Sequence, residues 1–259
     1  MTIEATPDRV PAQLMNPVFK IGVLALTLGL LLLVSGGPLY RFGLIELGLA
    51  FTLVRYSLYV NLLAVGLCLV GGVLHARRYG WQRTAGPVVA VWLAIALAYV
   101  PFNLYQQARS VPPIHDITTD TQSPPSFHAL AELRAEDENP VAYAGEEVAH
   151  QQHEAYPDIA PMYFDGDVGT VFAQAEAAAR AMGWQVVAAV AEQGRIEAVA
   201  TTSWFGFRDD VVIRIQSDAE QGQIRLDIRS QSRIGVSDLG ANAERIRAYR
   251  ERLAALISD

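Results

Sequence analysis

The chain has 259 residues, 51% of them hydrophobic and only 18% charged, yet it carries a net charge of −7. Divided after Asn103, it separates into an apolar part with seven Lys/Arg against three Asp/Glu (+4) and a polar part with thirteen against twenty-four (−11). This excludes a wholly soluble protein, and the acidic part excludes nucleic acid as a partner, because it would repel phosphates instead of releasing their counterions. The single cysteine, Cys68, lies within an apolar run, which rules out an intramolecular disulfide or a multi-cysteine metal site. Nineteen of the twenty basic residues are Arg, Lys20 being the exception, which reads as compositional bias.

A transmembrane helix needs about 20 consecutive, mostly apolar residues to cross a hydrocarbon layer about 30 Å thick. Three uncharged runs qualify: Ile21–Leu39, Tyr56–Leu74, and Thr84–Ala108 with its apolar heart at Val88–Phe102. They predict an all-α membrane anchor over residues 1–108, with spans near 21–39, 56–74 and 86–105, and hence a lipid bilayer as partner. A removable signal peptide does not account for three such runs. Between the first two lies Phe42–Val54, which contains Glu46 and precedes Arg55. It would reach only about 20 Å as a helix, so residues 42–54 are expected to be interfacial or re-entrant; the alternative is one long helix continuing into the Tyr56 run. Glu46 and Arg55 are expected at headgroup level. Three spans put Arg9, Lys20, Arg77, Arg78 and Arg83 on one side and Arg41, Arg55 and Arg109 on the other. The positive-inside rule then places the amino terminus in the cytoplasm and the polar part outside it. In a bacterium with two membranes, this is a multi-pass inner-membrane protein with a periplasmic carboxy-terminal domain.

Residues 109–139 form a connector with Pro112-Pro113 and Pro124-Pro125, a spacer or a strapped-down arm. Beyond it, Val141–Tyr156 reads as a helix closed by Pro157. A second helix is capped by Asp167 and runs to Met182, with Gly183 supplying its exit. The period then changes to two. Trp184–Val190, Arg195–Trp204 and the alternations around Val211–Ile215 and Ile224–Ile228 read as strands joined by short turns, hence antiparallel. Ser237 or Asp238 caps a closing helix. Helix, short strand, helix, four strands, helix predicts a two-layer α+β domain over 140–259. Its four-stranded, largely antiparallel sheet would carry helices on its apolar face and leave a polar face uncovered.

The stretches NPVAYAGEEVAHQQHEAYPDIAP (139–161), TTSWFGFRDDVVIRI (201–215) and IRSQSRIGVSDLGANAERIRAY (228–249) resemble the bacterial and plant family catalogued as domain of unknown function 1499. The resemblance covers about residues 111–257, and the apolar part looks like the anchor found on some bacterial members. It implies a domain boundary and membrane association, but no reaction and no catalytic residues.

Candidate residues are therefore weighed on their chemistry. Glu147, His150, His153 and Glu154 share a helical stretch, but histidines three apart lack the i, i+4 spacing of many metal helices, and a third ligand is not evident. They make a weak alternative metal site, and with it a metal-dependent hydrolase of envelope material; solvated helix is the favoured reading, and no cofactor is expected. His115, Asp116 and Asp120 are read in the same way, as turn caps. Trp204, Phe205 and Phe207 around Gly206 mark a bend or an aromatic contact surface. Asp209 and Asp210 are adjacent in a strand, so they face opposite sides and cannot serve as one acid/base pair. Arg225, Arg229 and Arg233 share one strand face, paired either with Asp227, Asp209 and Asp210 or with an anion bound near Asp238. No nucleophile elbow occurs. The expectation is a non-enzymatic binding domain whose partner is an envelope protein or an anionic envelope ligand. It would act through Trp204, Phe205, Phe207, Arg229, Arg233 and Asp238.

Overall fold

The computed structural model describes residues 16–258, which divide into two compact units, one ending at Gln106 and the other beginning at Gln107. Arg9 lies outside the described residues.

The first unit is helical. Helix α1 (Pro17–Arg41) starts where the Asn16 side chain accepts the Val18 amide at 2.8 Å, with Pro17 in the first turn. Helices α2 (Leu47–Tyr79) and α3 (Ala85–Ser110) follow, and all three are long and apolar enough to cross a membrane. The interfacial segment expected at 42–54 is not separate. A turn with Gly43 at φ 69° leads to Glu46, and from Leu47 one continuous helix runs through the Tyr56 stretch. Glu46 occupies the N-cap position of α2 and is exposed, so its charge lies at the positive end of the helix dipole. At 33 residues, α2 is about 50 Å long, well beyond one hydrocarbon thickness.

α1 and α2 pack antiparallel through small residues. Gly22, Gly29 and Gly36 recur every seven residues and face Cys68, Asn61 and the Ala50–Val54 turn. A Cβ on Gly29 would overlap the side-chain amide of Asn61, and one on Gly22 or Gly36 would come within 2.9 Å of the α2 backbone at Cys68 or Ala50, so the helices approach this closely because glycine is there. Asn61 is fully buried and donates Nδ2 to the Ser57 carbonyl at 2.8 Å.

The second unit is α+β, but its sheet has six strands where four were expected. Strands β3 (Gln185–Val190), β4 (Arg195–Thr201), β5 (Arg208–Asp218) and β6 (Gln223–Ser232) form the antiparallel meander. Two three-residue strands, β1 (Asp116–Thr118) and β2 (Met162–Phe164), lie along the other edge of β6, at Arg229–Gln231 and Ile224–Leu226. β1 comes from the connector and is too short to show a period. One face carries Ile196, Ala198, Val211, Ile213, Leu226 and Ile228 against helix α5 (Val168–Ala181) and helix α6 (Ala241–Ser258), where Phe172, Ala175, Ile246, Tyr249 and Leu253 complete the core. Asp167 caps α5 by accepting the Thr170 amide at 3.0 Å, and Gly183 turns the chain out at φ 75°. The helix expected at 141–156 is shorter: α4 is Glu146–Ala155. Residues 141–145 belong instead to the preceding arm, where the Val141 carbonyl accepts Arg229.

The other sheet face is not open. Residues 111–145 lie across it as a strap. Phe127 and Leu130 make a small second core with Val199 and Val212. The polar side chains are covered too, paired with charges or backbone groups of the strap or with one another across the strands. The clearest anchor is Glu197, fully buried on β4. Its carboxylate accepts the backbone amides of His128, Ala129 and Leu130 at 2.9–3.2 Å and pairs with Arg195 at 3.1 Å. Replacing Glu197 by Ala leaves those donors and a guanidinium without their acceptor. We expect a loss of about 3–5 kcal/mol of stability, read as an early cooperative transition in chemical denaturation of the detergent-solubilised chain. An unchanged transition midpoint would contradict this account of the strap.

Candidate functional site

The strap face is an alternating charge lattice. Asp116 takes the Arg229 guanidinium in a two-pronged contact at 2.9 and 2.8 Å. Asp120 accepts Arg214 at 3.0 Å and Arg225 at 2.7 Å, and both arginines also reach Asp227. Asp120 further holds its own turn through the amides of Gln122 and Ser123, the capping role expected of it. Arg134 and Arg233 close on the two oxygens of Asp210, each at 2.8 Å. Phe127 and Tyr143 lie over the Arg229 guanidinium at 4.9 and 5.5 Å. Burial, reinforced by the charge of Asp116, pushes the Tyr143 hydroxyl up to about 12.

This placement decides what the strand arginines do. Arg229 and Arg233 are each only 3% exposed and spend their donors on strap and strand carboxylates and carbonyls. Of the two pairings open in the sequence, internal ion pairs are the one formed, with Asp116 as an added partner. Asp209 and Asp210 do face opposite sides. Asp209 reaches Arg245 of α6 at 2.5 Å, whereas Asp210 faces the strap.

Trp204, Phe205 and Phe207 form a tight turn between β4 and β5. Gly206, at φ 72°, donates its amide to the Thr202 carbonyl at 3.0 Å, and the Phe207 amide bonds the Thr202 hydroxyl at 2.9 Å. Phe205 and Phe207 stack at 4.9 Å, with Trp204 edge-on to Phe205 at 5.0 Å. The aromatics thus satisfy one another, and Trp204 stays half-buried. On α4, His150 sits 3.8 Å from Glu154 with both side chains exposed, while the His153 ring meets the Thr121 hydroxyl at 3.2 Å. Glu147 is exposed as well. Among the described residues, no three His, Cys, Asp or Glu side chains gather closely enough to hold a metal ion.

Asp238 is the helix cap. Its carboxylate accepts the Gly240 amide at 2.7 Å and the Asn242 amide at 2.8 Å. Leu239, between them, sits at φ 57°, in the left-handed region that non-glycine residues seldom occupy. Burial raises the Asp238 carboxyl above its usual range, and the nearby charge of Asp209 adds to that rise.

Sequence reasoning missed an open groove of about 700 Å³ where β2 meets α6, lined by Met162, Tyr163, Phe164, Arg247, Arg250 and Asp158, among others. Arg247 is clamped by both oxygens of Asp158 at 2.7 Å, by Glu244 at 2.5 Å, and by the Tyr156 ring beneath it at 5.5 Å. The hydrogen bond from Arg247 holds the Asp158 carboxyl below its usual range. Arg250 donates one nitrogen to the Asp158 carbonyl at 2.6 Å and is half-buried. Tyr163 is 38% exposed, and among the described residues β2 pairs only with β6. The groove therefore offers a cation, an aromatic surface and a sheet edge together, with Glu251 beside them. The only sequence signal was the spacing of Arg247 and Arg250 on one side of α6, which reads equally well as a solvated helix face.

A family model described as Protein of unknown function (DUF1499) matches residues 116–253. The chain belongs to that family. The matched segment begins inside the strap, at Asp116, and ends on α6, so it takes in the lattice, the Asp238 cap and the groove. No curated protein matches the chain.

The raised Asp238 carboxyl has a definite pH signature. The folded chain binds this proton more readily than the unfolded chain. Its contribution to stability is therefore greatest below the ordinary carboxylate value and falls as pH rises from there through the raised one. Asp238→Asn keeps one capping oxygen and removes the titration. Thermal unfolding from pH 4 to 7 should show the variant's curve flattened across that window, with a capping loss of about 1 kcal/mol or less. Parallel wild-type and variant profiles would overturn the assignment.

Proposed function

We propose that this protein is a membrane-anchored binding module of the bacterial cell envelope. Its α+β domain would face the periplasm, its amino terminus would lie in the cytoplasm, and its ligand would be an extended, carboxylate-bearing segment held in the groove between β2 and α6. On this reading it performs no catalysis. The groove carries the proposal. An added strand would take the exposed edge of β2, its apolar side chains would meet Tyr163 on one face, and its carboxylates would meet Arg250 on the other. The lattice and the aromatic turn are spent on the fold and leave the groove as the better ligand surface. The periplasmic placement rests on three apolar helices and on the five-to-three bias of Lys/Arg between their ends.

Two measurements test this. Alkaline phosphatase fused after Asp259 should be active and β-galactosidase at the same position silent; the reverse pattern defeats the periplasmic assignment. An acetylated hexapeptide of alternating Glu and Val should bind the full-length chain in detergent, and Arg250→Glu should weaken it about tenfold or more, by roughly 1.4 kcal/mol. Equal binding by the variant, or by a Lys–Val peptide, would remove the groove from consideration.

A further inference from the structure

The first unit holds a second cavity, independent of the reading above. It is an apolar crevice of about 340 Å³ lined by Cys68, Leu69 and Val73 of α2, by Val88, Val91 and Trp92 of α3, and by Trp81 and Thr84 of the turn that joins them. Gly72 lines it too and brings α3 close, since a Cβ there would come within 2.9 Å of Pro87. An open apolar crevice between spanning helices does not stay empty in hydrocarbon, and the chemistry at its end says which lipid suits it.

The turn and the helix ends beside it are cationic. Arg77 and Arg78 close α2, Arg83 precedes Thr84, and all three are exposed. Lys20 is exposed in the first turn of α1, at the same end of the antiparallel α1–α2 pair. Among the described residues of the unit, no acid lies at this end. Glu46 is the only acid between residues 16 and 106, and it starts α2 whereas the arginines end it. Arg78 lies over the Tyr79 ring at 5.4 Å, and Trp81, 72% exposed, stands at the turn like an interfacial anchor. Apolar walls ending under a rim of exposed arginines that pair with no acid among the described residues match an amphiphile with a hydrocarbon tail and an anionic head.

We infer that the α2–α3 crevice is a binding site for an anionic phospholipid, with one acyl chain between Cys68, Val91 and Trp92 and the phosphate at Arg78 and Arg83. Phosphate without a chain would not suffice, because the walls supply the apolar half of the contact. A zwitterionic lipid of equal chain length would fit the crevice but gain nothing from the rim.

The test is native mass spectrometry of the full-length chain in detergent, titrated with phosphatidylglycerol, with phosphatidylcholine of the same acyl chains, and with glycerol phosphate. The wild type should retain phosphatidylglycerol about tenfold better than phosphatidylcholine and should not retain glycerol phosphate. Arg78→Gln and Arg83→Gln are surface changes; each should lower phosphatidylglycerol retention about fivefold and leave phosphatidylcholine unchanged. Val91→Phe fills the crevice and should reduce both lipids. Equal retention of the two lipids, undiminished preference in the arginine variants, undiminished retention in Val91→Phe, or binding of glycerol phosphate as tight as that of the lipid would each overturn the inference.

Discussion

The second unit is organised by the need to cover a charged sheet face. Arg195, Glu197, Asp210, Arg214, Arg225, Asp227, Arg229 and Gln231 alternate with core residues along β4, β5 and β6. Several of them are completely shielded from water: Glu197, Asp210 and Asp227 are 0% exposed. A carboxylate taken out of water costs several kcal/mol, which is recovered only if a counter-charge and further hydrogen bonds are in place. The strap supplies both. Asp116 and Asp120 meet arginines, Arg134 meets Asp210, and three backbone amides meet Glu197. Such pairs add little net stability over apolar packing, but they tolerate no shift in register, because moving the strap by one residue would bury uncompensated charges. Position, more than stability, is what this lattice secures.

The helical unit meets its packing requirement in another way. Lipid tails are as apolar as leucine, so the helices cannot associate by hiding hydrophobic surface, and close backbone contact has to take over. The heptad of Gly22, Gly29 and Gly36 provides it, and the fully buried Asn61 against Gly29 permits one alignment of the two helices. In each unit, then, a polar or small-residue contact selects a single register, while the apolar residues provide bulk.

What could be read from the chain follows from which signals are local. The apolar face of the meander, the Asp167 and Asp238 caps and the three long helices were legible because periodicity and capping are short-range patterns. The covered polar face was not. Arg–Asp alternation on a strand looks the same whether water or a strap lies over it, and the strap's side of such a pair is up to 113 residues away in sequence. The short strand expected between the first two helices of this part is β2, though its pairing with β6 was not legible, and β1 was hidden by its length of three residues. Residues 42–54 misled because Glu46 looked like a charge inside a short helix, whereas it starts a long one. The groove was invisible because Asp158, Tyr163 and Arg250 come from separate elements and only the fold brings them together.

The arginine bias acquires a physical meaning in this setting. Arg229 presents two nitrogens to the two oxygens of Asp116 while Phe127 and Tyr143 lie over its plane. Arg134 spans Asp210, Gln231 and the Asn139 carbonyl with three different nitrogens. A lysine ammonium has neither the planar fork nor the face on which an aromatic ring can stack, and it sheds its hydration less readily. A buried lattice of shared carboxylates therefore selects for guanidinium at every cationic node. The lattice accounts only for the paired arginines; at exposed sites, where lysine would serve as well, the compositional bias remains the reading. In the lattice arginine is paired and buried or half-buried, whereas at the end of α2 it is exposed and pairs with no acid among the described residues.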